Sequence, residues 1–432
     1  MSVRRFDATT PDFTEAFGKF LSLRRAQGTE DVHVSTTVIV RDVRERGGEA
    51  VAAFTQRFDR VAIDPATLQA SGIDLLEAAE RCLPEVREAL NFAAVRIETY
   101  HTQQRPQDHS FVDANGLELG WRWTPVDAVG LYVPGGRASY PSSVLMNAIP
   151  ARAAGVKRIA MVSPVPGGQL NPAVAYAAVR AGVTEFYPIG GAQAVAALAY
   201  GAGPLRPVDK IVGPGNAYVA AAKRIVFGDV GIDTIAGPSE ITVVGDNQNR
   251  PEWIAADLLS QAEHDPLAQS ILITDDASWA TRVEAALEKQ TAELATSKTV
   301  IEAWRDYGAI VIAPLERAAE IVNQIAPEHV ELAVADPDAI AKDIRHSGAI
   351  FLGRWAPEAL GDYVTGSNHV LPTSGAARFA SGLSVLDFMK RTSVQRISEQ
   401  GFRHLAGAAE TLAKCEGLPA HGLSVSIRRS GG

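Results

Sequence analysis

From Trp121 to about Leu383 short apolar runs alternate with alanine-rich stretches of helical periodicity, a pattern that few folds accept. Ala128–Val133, Arg158–Ser163, Glu185–Ile189 and Lys210–Val212 form one strand-sized series. Ile241–Gly245, Ser270–Thr274, Ala309–Ala313, Val330–Val334 and Ala349–Leu352 form a second. Helical patterns such as Asn171–Ala181 and Ala217–Val226 fill the intervals. Repeated strand–helix alternation predicts parallel sheets covered by helices. The expected class is therefore α/β, with Ile232–Gly237 as the crossing between two sheets.

The flanks read differently. Phe13, Phe17, Phe20 and Leu21 stand at helical spacing and predict a short amphipathic arm over residues 1–27, its aromatic rings serving packing. Val40–Phe58 and a segment from about Asp74 to Thr102 also read as helical. Beyond Leu383 the tail, with Ile397, Phe402, Leu405 and Leu412, predicts helix and then a short strand, Leu423–Ile427.

Composition narrows the function classes. The 432 residues are 46% hydrophobic, enough for a sizeable core in two to four compact units. A net charge of −9 argues against a nucleic-acid or anionic-membrane partner. No apolar run approaches the ~20 residues that span a bilayer. The segment MSVRRFDATTPDF has no apolar stretch after its arginines, so no signal peptide is expected. Two cysteines, Cys82 and Cys415, exclude a disulfide scaffold and a cysteine-based zinc finger. The expectation is a soluble cytoplasmic enzyme.

Glycine-rich turns follow three strands: Val133-Pro134-Gly135-Gly136-Arg137, Gly190-Gly191-Ala192-Gln193 and Gly213-Pro214-Gly215-Asn216. Glycine allows close backbone approach, and the next helix offers unpaired N–H groups to an anion. Each turn singly has a structural reading. Three at strand ends point to a binding edge for a phosphate-bearing ligand, although neither G-x-G-x-x-G in the usual place nor a P-loop occurs. Gln261 and His264 share a face at the end of a helix, Glu252–Glu263, that Pro266 stops. Spacing alone leaves His264 as a metal ligand or a surface histidine, and nothing local links it to Asp362 or His421. In Pro327-Glu328-His329 a carboxylate and an imidazole adjoin at a helix-to-strand junction. Glu328 could activate water and His329 relay protons, or both could decorate a surface turn.

The segments VGLYVPGGRASYPSSVLMNAIPARAAGV, GGAQAVAALAYG, KIVGPGNAYVAAAKR, DTIAGPSE, LLSQAEHD, IAPEHVEL, GDYVTGSNHVLPT, GLSVLDFMKRTS and EGLPAHGLSV, running from about residue 120 to 427, resemble the histidinol dehydrogenase family. The resemblance implies oxidation of L-histidinol to L-histidine with two NAD⁺, the last steps of histidine biosynthesis. It implies one Zn²⁺ per subunit on Gln261, His264, Asp362 and His421, with Glu328 and His329 catalytic. Substrate contacts then fall on Ser239, Gln261, His264, His329, Asp362, Glu416 and His421, and NAD contacts on Tyr132, Gln193 and Asn216. The implied architecture is a homodimer of two incomplete Rossmann-like domains. Residues 28–131 and 239–383 form the first, carrying metal and catalytic residues, and residues 132–238 the NAD side. Residues 1–27 form an arm, and the tail 384–432 is exchanged so that Glu416 and His421 reach the other subunit's site. A relative acting on another amino or sulfonated alcohol shares this pattern, and a zinc hydrolase using Glu328 is the reading from another class. Cys415, beside Glu416, could form a thiohemiacetal with an aldehyde, but the structural reading is the expected one; His369 is expected near the site, with a structural role the favoured reading.

Overall fold

In the computed structural model, which describes residues 3–25, 30–135, 140–235 and 237–430, both strand series form parallel sheets. One sheet has five strands in the order Glu185–Tyr187, Arg158–Val162, Ala128–Tyr132, Lys210–Val212 and Gly231–Ile232. The other has six: Arg4–Asp7, Ala309–Ile312, Gln269–Thr274, Glu240–Gly245, His329–Ala333 and Ala349–Leu352. In each, the first strand of the series is central. The next two lie to one side and the last two to the other, the order of a doubly wound nucleotide-binding half. Ala128–Tyr132 and Gln269–Thr274 are buried throughout, as strands covered on both faces must be. Asn171, Asn216 and Asp276 cap the helices that follow them by accepting from backbone N–H groups.

The chain divides into two compact units. One comprises residues 1–104 and 127–388 and holds both parallel sheets. The other comprises residues 105–126 and 389–432. It contains an antiparallel sheet of Met389–Arg396, Glu118–Pro125 and His109–Val112, and the helices Glu399–Cys415 and Pro419–Ser430.

Several expectations are corrected. Leu423–Ile427 is helix rather than strand, because it lies within Pro419–Ser430. Leu423 and Ile427 are four apart and share one helical face, and Arg428 bonds back to the Ser424 carbonyl. The N-terminal arm is more than a helix: Arg4–Asp7 is an edge strand of the six-stranded sheet. The helix Phe13–Arg25 then folds back, and Phe13, Phe17 and Phe20 enter the core with Ile273, Val311 and Ile325. Val40–Phe58 is two helices, Glu30–Arg46 and Gly48–Asp59, broken at Gly47 with φ +55°. The stretch from Asp74 to Thr102 is divided before Pro84 into Leu75–Glu80 and Pro84–Gln103. Within residues 28–131, expected to belong with the metal-bearing half, Glu30–Arg46 packs on Gly191–Tyr200 and Ala217–Val226, and Pro84–Gln103 on Pro141–Ala154. These helices therefore pack on the helices that cover the five-stranded sheet. Gly136, Arg137 and part of the crossing Ile232–Gly237 lie outside the described residues.

Candidate functional site

The six-stranded sheet gathers the catalytic candidates at its amino edge. Ser239 immediately precedes Glu240–Gly245, and Glu328 immediately precedes His329–Ala333. Register sets His329 beside Ile241, one residue beyond Glu240. Ligands in open parallel sheets usually sit at the carboxyl ends of strands. Here the chain leaves Gly231–Ile232 at the carboxyl edge of the first sheet and, through residues 233–239, enters the amino edge of the second.

His329 is buried, and its Nδ1 donates to the Glu240 carbonyl at 3.0 Å. A carbonyl can only accept, so the neutral ring carries its proton on Nδ1 and a lone pair on Nε2. That Nε2 lies 3.7 Å from Glu358 Oε1 and 4.0 Å from Asp362 Oδ1. His329, Glu358 and Asp362 offer ligand atoms all within 4.8 Å of one another. The Ser260 hydroxyl reaches Glu358 Oε2 at 3.3 Å, which sets the last turn of Pro251–Ala262 against the helix Glu358–Tyr363. Gln261 stands in that turn, only 1% exposed. His264 is exposed just beyond it. Gln261 Oε1, His329 Nε2 and Glu358 Oε1 are buried and have no hydrogen-bond partner among the described residues. Leaving three such atoms unsatisfied is costly, and a bound cation or a polar ligand would satisfy them.

Electrostatics separates the two catalytic candidates. Glu328 Oε2 accepts from the Glu240 N–H at 2.9 Å. Burial, and then the Glu240 charge, holds its carboxyl well above the usual range. Burial pulls His329 the other way, below the usual imidazole value. Asp362 is pushed up to about 8, chiefly by burial and then by Glu358. His369, whose Nδ1 donates to the Asp362 carbonyl at 3.0 Å, is pulled down to about 4 by burial. Its Nε2 faces Ser143 Oγ at 3.5 Å. Crowded, desolvated carboxyls with oxygen and nitrogen donors suit a hard or borderline divalent cation such as zinc.

The five-stranded sheet holds the cofactor candidates at its carboxyl edge. The Tyr132 hydroxyl accepts from Gly191 N at 3.0 Å, and burial pushes that phenol up to about 12. Gln193 is 1% exposed, and both its amide atoms lack a partner among the described residues. Asn216 Oδ1 caps the helix Ala217–Val226 through the N–H groups of Tyr218 and Val219, which leaves its amide group to donate to a ligand. At Gly213, φ is +113° and a Cβ would stand 2.1 Å from the Tyr132 carbonyl oxygen, so only glycine fits.

Glu416 and His421 belong to the second unit. Glu416 caps the end of Glu399–Cys415, and His421 lies in the first turn of Pro419–Ser430, both exposed. Cys415 is free and exposed. The sequence reading missed Glu358 and Glu240. Glu358 stands four residues before Asp362 on one helical face, a spacing that could have exposed it. Glu240 follows Ser239 and had no such signal.

The family model described as histidinol dehydrogenase matches residues 22–429. The histidinol dehydrogenase of Caulobacter vibrioides is 57% identical over 430 residues, covering 100% of both chains. That of Mesorhizobium japonicum is 56% identical, covering 99% of each. The crystal structure of histidinol dehydrogenase from Elizabethkingia anophelis superposes with a TM-score of 0.93 at 33% identity, covering 99% of this chain and 98% of that one. An acetylating aldehyde dehydrogenase from Geobacillus thermoglucosidasius, with a TM-score of 0.51 at 13% identity, shares the fold. With a family model spanning nearly the whole chain and relatives this similar from end to end, the chain belongs to the histidinol dehydrogenase family.

Proposed function

We propose that the chain oxidises L-histidinol to L-histidine through L-histidinaldehyde, reducing two NAD⁺. One observation carries the reading: Glu328 and His329 stand adjacent and buried at one sheet edge with His329 Nε2 left without a partner among the described residues, while burial drives their proton affinities in opposite directions. A pair separated in this way can divide base and proton-relay roles. Family membership supplies the substrate.

Gln261, His264 and Asp362, with His421 from a second copy of the chain, would hold one zinc per subunit. When bound, zinc would orient the amine and imidazole nitrogens of the substrate without redox chemistry of its own. NAD, along Tyr132, Gln193 and Asn216, would accept the hydride of each step. In the first step His329 Nε2 takes the alcohol proton, because its lone pair faces the site while Nδ1 is held by the Glu240 carbonyl. The aldehyde must then be hydrated before a second hydride can leave. Glu328 takes the proton of the attacking water, its raised affinity making it a stronger base once ionised. As the water adds, His329 returns its first proton to the aldehyde oxygen, and Nε2, with its lone pair restored, then takes the hydroxyl proton of the hydrate. Ser239 and Glu416 complete the substrate contacts.

The reading includes a homodimer in which the tail is exchanged. It is supported by the tail unit, where Leu412, Leu423 and Ile427 on two successive helices, and Leu418 in the link between them, are exposed, a surface that calls for a partner. Two free cysteines favour a cytoplasmic setting. Among the described residues no helix is long and apolar enough to cross a membrane. The test is stoichiometry: limiting histidinol should yield two NADH per molecule. A yield of one, or none, would defeat the reading.

A further inference from the structure

Lys223 and Asp233 form a buried ion pair, their side chains 3% and 4% exposed, that the reaction does not use. Each partner also holds the glycine turn. Lys223 Nζ donates to Asp233 Oδ1, to the Gly213 carbonyl at 3.1 Å and to the Thr234 carbonyl at 3.1 Å. Asp233 Oδ2 accepts from the Gly213 N–H at 2.8 Å. Both backbone groups of Gly213 are thus tied to one charge pair. The pair also fixes the first residues of the passage between the sheets, where Asp233 N donates to the Ile211 carbonyl at 3.2 Å. Gly213 in turn lies against the Tyr132 carbonyl, and the Tyr132 hydroxyl holds the Gly191 N–H. One connected framework therefore runs from the ion pair through Gly213 and Tyr132 to the turn that bears Gln193.

We propose that Lys223 and Asp233 are positioning residues that preform the NAD site, holding the Gly213–Asn216 turn against Tyr132 before the cofactor arrives. The proposal rests on the reading that Tyr132, Gln193 and Asn216 contact NAD. A buried ion pair is weak evidence of stabilisation, because apolar residues of similar volume often serve the fold as well. Its advantage here is directional. Methylene groups could fill the space but could not hold both the N–H and the carbonyl of Gly213. A turn fixed in advance spares the cofactor the entropy of ordering it.

Two double variants separate the role from folding, since each removes both charges together. In Lys223→Met with Asp233→Asn, the amide oxygen can still accept from Gly213. In Lys223→Met with Asp233→Leu, every tie is lost. With melting temperature and zinc content as controls, KM for NAD should rise about threefold in the first and about tenfold or more in the second. The value of kcat at saturating NAD should fall by less than about threefold, and KM for histidinol should stay within about twofold. A purely structural role would move both KM values or neither. Folded variants whose KM for NAD stays within about twofold would overturn the proposal, as would equal rises in both KM values. If neither variant folds, hydrogen exchange of the wild-type segment 211–217 decides. Protection before NAD is added supports a preformed turn, and protection that appears only with NAD refutes it. A wild-type protein that makes no NADH would instead sink the cofactor reading itself.

Discussion

Replacing Glu328 by Gln removes one proton acceptor and little else. Glu328 is 6% exposed, and its Oε2 receives the Glu240 N–H at 2.9 Å. A carboxamide of the same volume keeps an oxygen for that bond. It also removes a carboxyl that burial and Glu240 make hard to ionise, so the fold should not suffer. Above the ordinary carboxylate range the variant should be as stable as the wild type or more so, since no buried charge must form. A positioned general base contributes about 10²–10⁴ in rate, which is about 3 to 5 kcal/mol of barrier. That loss should fall on hydration of the aldehyde and spare the alcohol step, where His329 takes the proton. With limiting histidinol and excess NAD, NADH should approach one equivalent per substrate, and aldehyde should be trappable with a carbonyl reagent. The full reaction should fall by about 10²-fold or more. A folded, zinc-loaded variant that makes two NADH per histidinol at a rate within about threefold of wild type would refute the assignment of the base.

Subunit mixing tests shared sites. Gln261→Ala and His421→Ala homodimers should each lose zinc and activity, whereas verified heterodimers should recover part of both, because one of their two sites draws only intact ligands; no recovery counts against an exchanged tail. The metal-free protein should show a distinctive pH response in thermal melts with chelator. Asp362, raised to about 8, and Glu328, raised as well, bind more protons folded than unfolded between the ordinary carboxylate value and their own. Stability should therefore fall as pH rises through that window, and zinc should flatten the fall by replacing the protons. A metal-free melt that rises with pH across the same window would show that these carboxyls are not buried as described.

Much of the architecture was legible because parallel sheets announce themselves locally. A strand buried on both faces is mostly apolar, and its helix amphipathic, so Ala128–Tyr132, or the Ile271–Ile273 run within Gln269–Thr274, could be read without knowing any neighbour. The polar strand Met389–Arg396 carried no such mark. It is a strand because Glu118–Pro125 pairs with it from a distant part of the chain. Arg4–Asp7 likewise becomes a strand only by adding to the exposed edge of Ala309–Ile312.

The site divides in the same way. Glycine turns, the Glu328–His329 dipeptide and the Gln261–His264 spacing are local patterns, and the order of residues was sufficient to single them out. What the order of residues could not convey is environment. Glu358 acquires its place from the meeting of two helices with the start of a strand, and Asp362 is raised because that meeting excludes water. The same holds for Lys223 and Asp233, ten residues apart, whose charges matter only because both converge on Gly213. Residue type and periodicity are properties of the chain. Desolvation and the convergence of distant polar groups arise only when the chain closes on itself, and they decide which of its many charged side chains can do chemistry.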